Sequence, residues 1–436
     1  MKIRVATFVL ALSPLALAQA QPAPQATYIH AGRLLADPGD APRGPSTVIV
    51  RDGKVAEVRD GLVPPEAGAR LVDLSQKFVL PGLIDLHVHL FSDGDPLKSR
   101  LEFATRDRED ALILAAAHAR TTLRAGFTTV RDLGGSPRGI RALRDGIASG
   151  NLEGPTVVNA GYMLSVSGGH GDGGGLNEVV YEAIKAPDHN NVCNGPDDCR
   201  RAVREQIRLG AEVIKFAATG GVLSNVAGGL GQQMTGEEMK AIIDTAHGFG
   251  RKVAAHSHAS EGTAAAVAAG VDTIDHGTFL NDATIAAMKA KGTWLVPTML
   301  ASATAVEQAR SGVLPAAVLP KAEQAATAAR SSHILAIRMG VKIAFGTDTG
   351  VSKHGDNARE FALMIDRGMS PMAAIVAATT GAAEALGRGG QLGVIAPGMP
   401  ADIIAVTGDP LTDVRRLERV SFVMKLGRIF KQEFGL

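Results

Sequence analysis

Val79-Leu-Pro-Gly-Leu-Ile-Asp-Leu-His-Val-His-Leu90 is an apolar run that ends on two imidazoles two residues apart. In a strand, side chains at i and i+2 share a face, so His87 and His89 would point the same way and could grip one metal. As a motif the pair is weak. Twelve histidines in 436 residues give roughly a third of such a pair by chance, and a second, His256-Ser-His258, does occur. The weight comes from the surroundings, because this run opens a series of eight: 79–90, 128–132, 156–161, 213–217, 252–256, 273–276, 293–297 and 342–348. Longer amphipathic stretches at 199–209, 235–248 and 260–269 lie between them, the second opening on Thr235, Glu237 and Glu238 as a helix start. Short apolar runs alternating with helical ones read as β-α units around a parallel sheet. Eight units predict an α/β fold of the closed (β/α)8 TIM barrel type over 81–389. An open doubly wound sheet is the runner-up, and it lacks a Gly-rich dinucleotide fingerprint after the first strand.

The flanks have another pattern. Residues 47–50, 54–58 and 70–74 are short alternating runs set between Gly, Pro and Asp, and matching runs return at 402–406 and 421–430 after helical stretches at 371–379 and 381–386. Strands at both ends predict one small β-sandwich domain made from 27–80 and 390–436, since chain termini often lie close together.

Composition narrows the function. Forty-five Lys+Arg against 44 Asp+Glu leave a net charge of +1, which gives no electrostatic footprint for nucleic acid or an anionic membrane. Aromatic residues are 4% of the chain, too few for a base-stacking platform. Lys2 and Arg4 precede an apolar stretch over 5–17 with small residues at 16–20, so 1–20 reads as a signal peptide of a periplasmic or secreted protein. A short membrane anchor is the alternative, but Ser13 and Pro14 interrupt a run already below the ~18 residues a span needs. No later segment qualifies, so no membrane contact is expected after signal removal. Export makes a disulfide between Cys193 and Cys199 the favoured reading, with a zinc-binding pair as the other.

Taken along the chain, the C-terminal ends of the predicted barrel strands carry His87, His89, Lys215, His256, His276 and Asp348. That is where a barrel puts its catalytic groups. Lys215 is the odd member, because Val213-Ile-Lys-Phe-Ala-Ala sets an amine inside a strand buried on both faces. Such a lysine must be neutralised, paired or chemically modified.

These residues resemble the amidohydrolase superfamily, in its binuclear branch with a carboxylated lysine. The likeness extends to Gly346-Thr-Asp and to Gly393-Val-Ile-Ala-Pro-Gly-Met-Pro-Ala-Asp-Ile-Ile-Ala-Val near the end. It implies two divalent metal ions per chain, zinc by default for such N/O ligands. By the same resemblance Lys215 is N-carboxylated and bridges both ions, His87, His89 and Asp348 hold one, and His256 and His276 hold the other. A hydroxide between the ions would attack, with Asp348 moving its proton to the leaving amine.

Within the superfamily the chain looks most like exported prolidase-like and aminoacylase-like peptidases, including ochratoxin-hydrolysing amidohydrolases. Ser167-Gly-Gly-His-Gly-Asp172, Thr219-Gly-Gly-Val-Leu-Ser224 and His354-Gly-Asp-Asn-Ala-Arg-Glu360 carry this finer likeness. It implies that His170 touches the scissile carbonyl. Proximity to strand ends makes Ser92, Val222, Leu223, His258 and Met299 candidates to line the substrate pocket, and the last motif adds His354. The expected activity is hydrolysis of a dipeptide or N-acyl amino acid at its amide bond, with ochratoxin A, an amide of phenylalanine, as one such substrate. Expected partners are that small-molecule amide and further copies of the chain in a homo-oligomer, an octamer being one arrangement. A cyclic-amide hydrolase or deaminase of the imidazolonepropionase type is the enzymatic alternative, disfavoured by Lys215. A metal-binding scaffold without catalysis is the alternative from another class.

Overall fold

A computed structural model describes residues 26–433 except 173–178, 180, 182–190, 224–228 and 315–317. The expected signal peptide lies outside the described residues. In chain order the strands are β1 (Thr27–Leu34), β2 (Ser46–Arg51), β3 (Lys54–Asp60), β4 (Arg70–Pro81), β5 (Leu83–Val88), β6 (Phe127–Asp132), β7 (Thr156–Asn159), β8 (Val213–Ala217), β9 (Lys252–Ser257), β10 (Thr273–His276), β11 (Trp294–Val296), β12 (Ile403–Val406), β13 (Val420–Lys425) and β14 (Arg428–Gln432). Among the described residues no helix is long and apolar enough to cross a membrane.

The barrel is built from β5 to β11, all parallel, with helices between them. Every residue of β5 and of β8 is buried, as strands covered by helices outside and by packed side chains inside require. Regular ladders join β5-β6-β7 and β8-β9-β10-β11. Single bonds link the two groups: the Glu212 amide donates to the Asn159 carbonyl at 2.8 Å. Residues 342–348 occupy the eighth position, bonded to β11 through Leu295 and to β5 through the Leu86 amide on Phe345 and the Asp348 amide on His87. This eighth run forms no regular ladder because the Asp85 carboxylate takes the backbone amides of both His87 and Thr347, at 3.0 and 3.1 Å. Asp348 itself sits at φ 57°, which turns its side chain out of strand geometry.

The run read first as one strand is two. Residues 79–81 end β4, and 83–88 are β5; the chain changes sheet at Gly82, where a Cβ would lie 2.2 Å from the Thr128 hydroxyl. The terminal segments form a seven-stranded sheet in the order β14-β13-β12-β4-β1-β2-β3. Hydrogen bonding is continuous, so the expected sandwich takes the form of one sheet curled over a core that includes Ile29, Val48, Val72, Ile403, Phe422 and Met424. Its two outer hairpins meet: at Gly53, φ 75°, a Cβ would stand 2.9 Å from the Leu426 carbonyl oxygen. Only glycine fits both that backbone and that approach.

Cys193 and Cys199 are joined in a buried disulfide at the start of the helix Pro196–Arg208. The helix Gly236–Gly248 begins with the reciprocal Thr235–Glu238 cap that its sequence signals.

Candidate active site

At the C-terminal end of the barrel His87, His89, Lys215, His256, His276 and Asp348 converge on one cavity of about 270 Å³. Asp348 is the hub of one half. Its Oδ1 lies 3.1 Å from His89 Nε2 and 3.4 Å from His87 Nε2. In the other half His276 Nε2 is 2.8 Å from His256 Nδ1. His258 joins them: one ligand atom each of His256, His258 and His276 falls within 4.8 Å of the others, as do those of His87, His276 and Asp348.

Several bonds fix these rings from behind. The Thr298 hydroxyl is 2.8 Å from His276 Nδ1, the Thr278 hydroxyl 2.6 Å from His258 Nδ1, and the Gly134 carbonyl 3.4 Å from His89 Nδ1. His276 and Thr298, like Asp348, have positive φ, at 73° and 48°. Left-handed backbone at three non-glycine strand ends is the kind of strain that clusters at functional sites.

The donor set fits divalent metal. His256 Nε2 is buried without a hydrogen-bond partner, a cost that a cation would offset. Burial, together with Lys215 and neighbouring imidazoles, holds His256 and His276 well below the ordinary histidine range, and burial followed by Lys215 pushes His87 down to about 4. Neutral imidazoles are the form that ligates. Burial pushes the Asp348 carboxyl up, but His87 and His89 outweigh it and hold the group below its usual value, ionised.

Lys215 is paired with Asp275. The same carboxylate lies 3.3 Å from His87 Nδ1 and 3.2 Å from an Arg131 nitrogen. Burial lowers the Lys215 pKa, while Asp275 opposes the shift. Sequence reading missed Asp275, Arg131 and Asp85. The signal was present, since Thr-Thr-Val-Arg131-Asp, Thr-Ile-Asp275-His and Leu-Ile-Asp85-Leu carry charges inside buried strands as Lys215 does.

His170 reaches the cavity from the loop after β7, its ring 4.2 Å from that of His256, and its Nδ1 is buried without a partner. Gly221 permits this approach, for a Cβ there would lie 2.4 Å from the His170 ring. Burial and Lys215 push the imidazole down to about 4. Ser92, Val222, Leu223 and His258 line the cavity as placed by sequence. Met299 and His354 do not. Met299 begins the helix Met299–Arg310 and packs into the core, where the chain turns at Thr298 before the pocket wall starts. His354 stacks on His118 behind the cavity, rings 4.4 Å apart, with its Nε2 2.9 Å from the Ser92 carbonyl. In their place Ala301, Ser302, Ala305, Ala322 and Ala325 form a small-residue wall.

A curated relative, ochratoxinase of Aspergillus niger, is 32% identical over 438 residues, spanning 96% of this chain and 89% of that protein. The crystal structure of A. niger ochratoxinase superposes with a TM-score of 0.81 at 28% identity, covering 94% of this chain and 96% of that one. A Xaa-Pro dipeptidase crystallised with methionine in its active site gives a TM-score of 0.87 at 37% identity, covering 93% of this chain and 100% of the other. The profile of the amidohydrolase family matches residues 78–430, from the end of β4 through the barrel and back into the terminal sheet. The (β/α)8 barrel, the strand-end donors and these likenesses agree: the chain belongs to the amidohydrolase family.

Proposed function

We propose that the protein is a metal-dependent hydrolase that cuts the amide bond of dipeptides or N-acyl amino acids and releases the C-terminal amino acid, phenylalanine from ochratoxin A among them. The observation that carries this reading is the convergence of four imidazoles, an amine and a carboxylate on the floor of one cavity whose walls are small and apolar. Bound at these donors, two divalent ions, zinc by default, would supply Lewis acidity toward the scissile carbonyl and the attacking water.

The residues divide the remaining work. His87, His89 and Asp348 would hold one ion and His256 and His276 the other, with Lys215, as a carbamate, completing the donor set. Burial favours the neutral amine of Lys215. That amine adds to carbon dioxide, forming an N–C bond and losing one proton, and becomes an anion suited to two cations. Asp348, ionised at neutral pH, accepts the proton of the attacking water and delivers it to the departing amine. His170 lines the same cavity with an unpartnered buried nitrogen, which supports it as the group that stabilises the developing oxyanion. Val222, Leu223, Ala301 and Ala305, which line the cavity, support an apolar side chain on the released residue. The leader read from the sequence supports an exported protein.

The test is a screen of purified protein against Xaa-Pro and Xaa-Phe dipeptides and N-acyl amino acids, with an N-acyl-phenylalanine compared with its C-terminal amide. Hydrolysis of the acid with a much lower kcat/KM on the amide is the expected result. Equal rates on both, or no turnover of any member, would remove this specificity.

A further inference from the structure

The helix Met299–Arg310 supplies the cavity wall at Ala301, Ser302 and Ala305, and it begins without a cap of its own. Thr298 stands at the capping position, a residue type that normally bonds the exposed amides of a first turn. Its hydroxyl is instead held by His276 Nδ1 at 2.8 Å. The first amides of the helix therefore need an acceptor from elsewhere. Glu360 provides it from 60 residues away: its two carboxyl oxygens accept the Met299 amide at 2.9 Å and the Leu300 amide at 2.6 Å. The side chain is fully buried, and no part of the proposed chemistry uses it.

We propose that Glu360 is a positioning residue, a remote cap that fixes the pocket-wall helix while leaving Thr298 free to orient His276. It belongs to the segment His354-Gly-Asp-Asn-Ala-Arg-Glu360, which also reaches β5 and the loop after it: the buried Asn357 donates to Asp85 Oδ2 at 2.8 Å, and His354 lies against the Ser92 carbonyl. Seven consecutive residues thus tie the end of β5 to the helix after β11. A glutamine at 360 keeps the size but turns one amide donor toward a backbone donor, so the helix start must lose a bond and Thr298 is drawn away from His276.

The substrate arm of the test rests on the amide-hydrolase reading; the metal arm does not. Glu360→Gln should weaken zinc affinity of the metal-stripped protein, measured by competition with a chromophoric chelator, by about tenfold. It should also reduce the kcat/KM preference for a C-terminal Phe over a C-terminal Ala substrate by several-fold. Glu360→Asp, which keeps both acceptors, should recover most of both. Hydrogen exchange at 299–302 should rise in the Gln variant and be read on the same samples. A Gln variant with wild-type zinc affinity and wild-type substrate preference, only a lower Tm, would overturn the assignment. If the wild type cleaves none of the substrates, the hydrolase reading fails, and zinc affinity with exchange decides Glu360 alone. Should the Gln variant not fold, the Asp variant at wild-type zinc affinity is the supporting outcome and its loss of affinity the overturning one.

Discussion

Asp275 faces two buried basic side chains at once, Arg131 on one carboxyl oxygen and, while its amine is unmodified, Lys215 on the other. The pairing fixes the charge of the barrel interior beneath the ligand rings. Lys215 and Arg131 push the Asp275 carboxyl far down against burial, so it is ionised at any working pH. Removing it leaves the buried Arg131 guanidinium without its carboxylate partner. Asp275→Asn should cost about 3–5 kcal/mol of stability, read as a shift in the urea midpoint of the metal-free protein. A midpoint within experimental error of wild type would show that Arg131 and Lys215 find other partners.

Metal content follows from the donor geometry. Purified protein should carry about two divalent ions per chain, and His276→Ala, which removes a ring common to both convergent groups, should lower occupancy and turnover together. Elemental analysis beside an activity assay reads both. Full activity at one ion per chain would remove the binuclear reading.

Lys215→Ala should be almost inactive and regain part of its activity with short carboxylic acids, which supply the bridging anion the lysine carbamate would provide. Intact mass of the native site should show the added carbon dioxide. An active, metal-loaded protein with an unmodified lysine would contradict this.

Asp348→Asn should abolish turnover while leaving substrate binding, since the side chain is needed for its proton affinity as well as for its oxygen. His170→Ala should lose about 10² to 10³ in kcat if it contributes as an oxyanion donor does. Steady-state kinetics separate the two, and a near-normal kcat in the Asn variant would move the proton transfer to another group.

The metal-free protein should lose stability as pH falls from 6.5 toward 4. Burial pushes His87, His170 and His333 down to about 4 and His258 and His354 to about 3, so the unfolded chain takes up protons that the native state refuses. Their stabilisation is present above the unfolded value near 6.5 and is lost through the folded values, at up to about 1.4 kcal/mol per pH unit for each ring. Asp85 and Asp132, pushed up to about 6 by burial, and Glu360, pushed up to about 8, act in the opposite sense and offset part of the slope. Unfolding midpoints between pH 7 and 4 test the sign; a flat profile would mean the rings admit water and titrate normally.

Where local pattern decides a position, the sequence is readable. The run 213–217 is β8 to the residue, because an unbroken apolar stretch around one lysine has few alternatives, and the bounds read for 273–276 are those of β10. The strand ends then place all six proposed ligands on one cavity. Positions that depend on how loops return are not readable. Met299 and His354 sit close to strand ends in the chain, yet Thr298 at φ 48° sends the first into the core and a stack on His118 holds the second behind the wall. The supporting bonds of Asp85, Asp275 and Glu360 join residues 60 to 272 positions apart, a relation no local spacing encodes.

The curled terminal sheet also sets an order of events during synthesis. β4 pairs with β1 on one side, and among the described residues its other edge over Phe78–Pro81 pairs with Ile403–Val406 of β12 alone. Until the ribosome has delivered that strand, the barrel must form beside an open, apolar β-edge, the kind of surface on which chains join one another. A chain stopped short of residue 403 would keep that edge permanently, and aggregation rather than simple loss of activity is the outcome the architecture dictates.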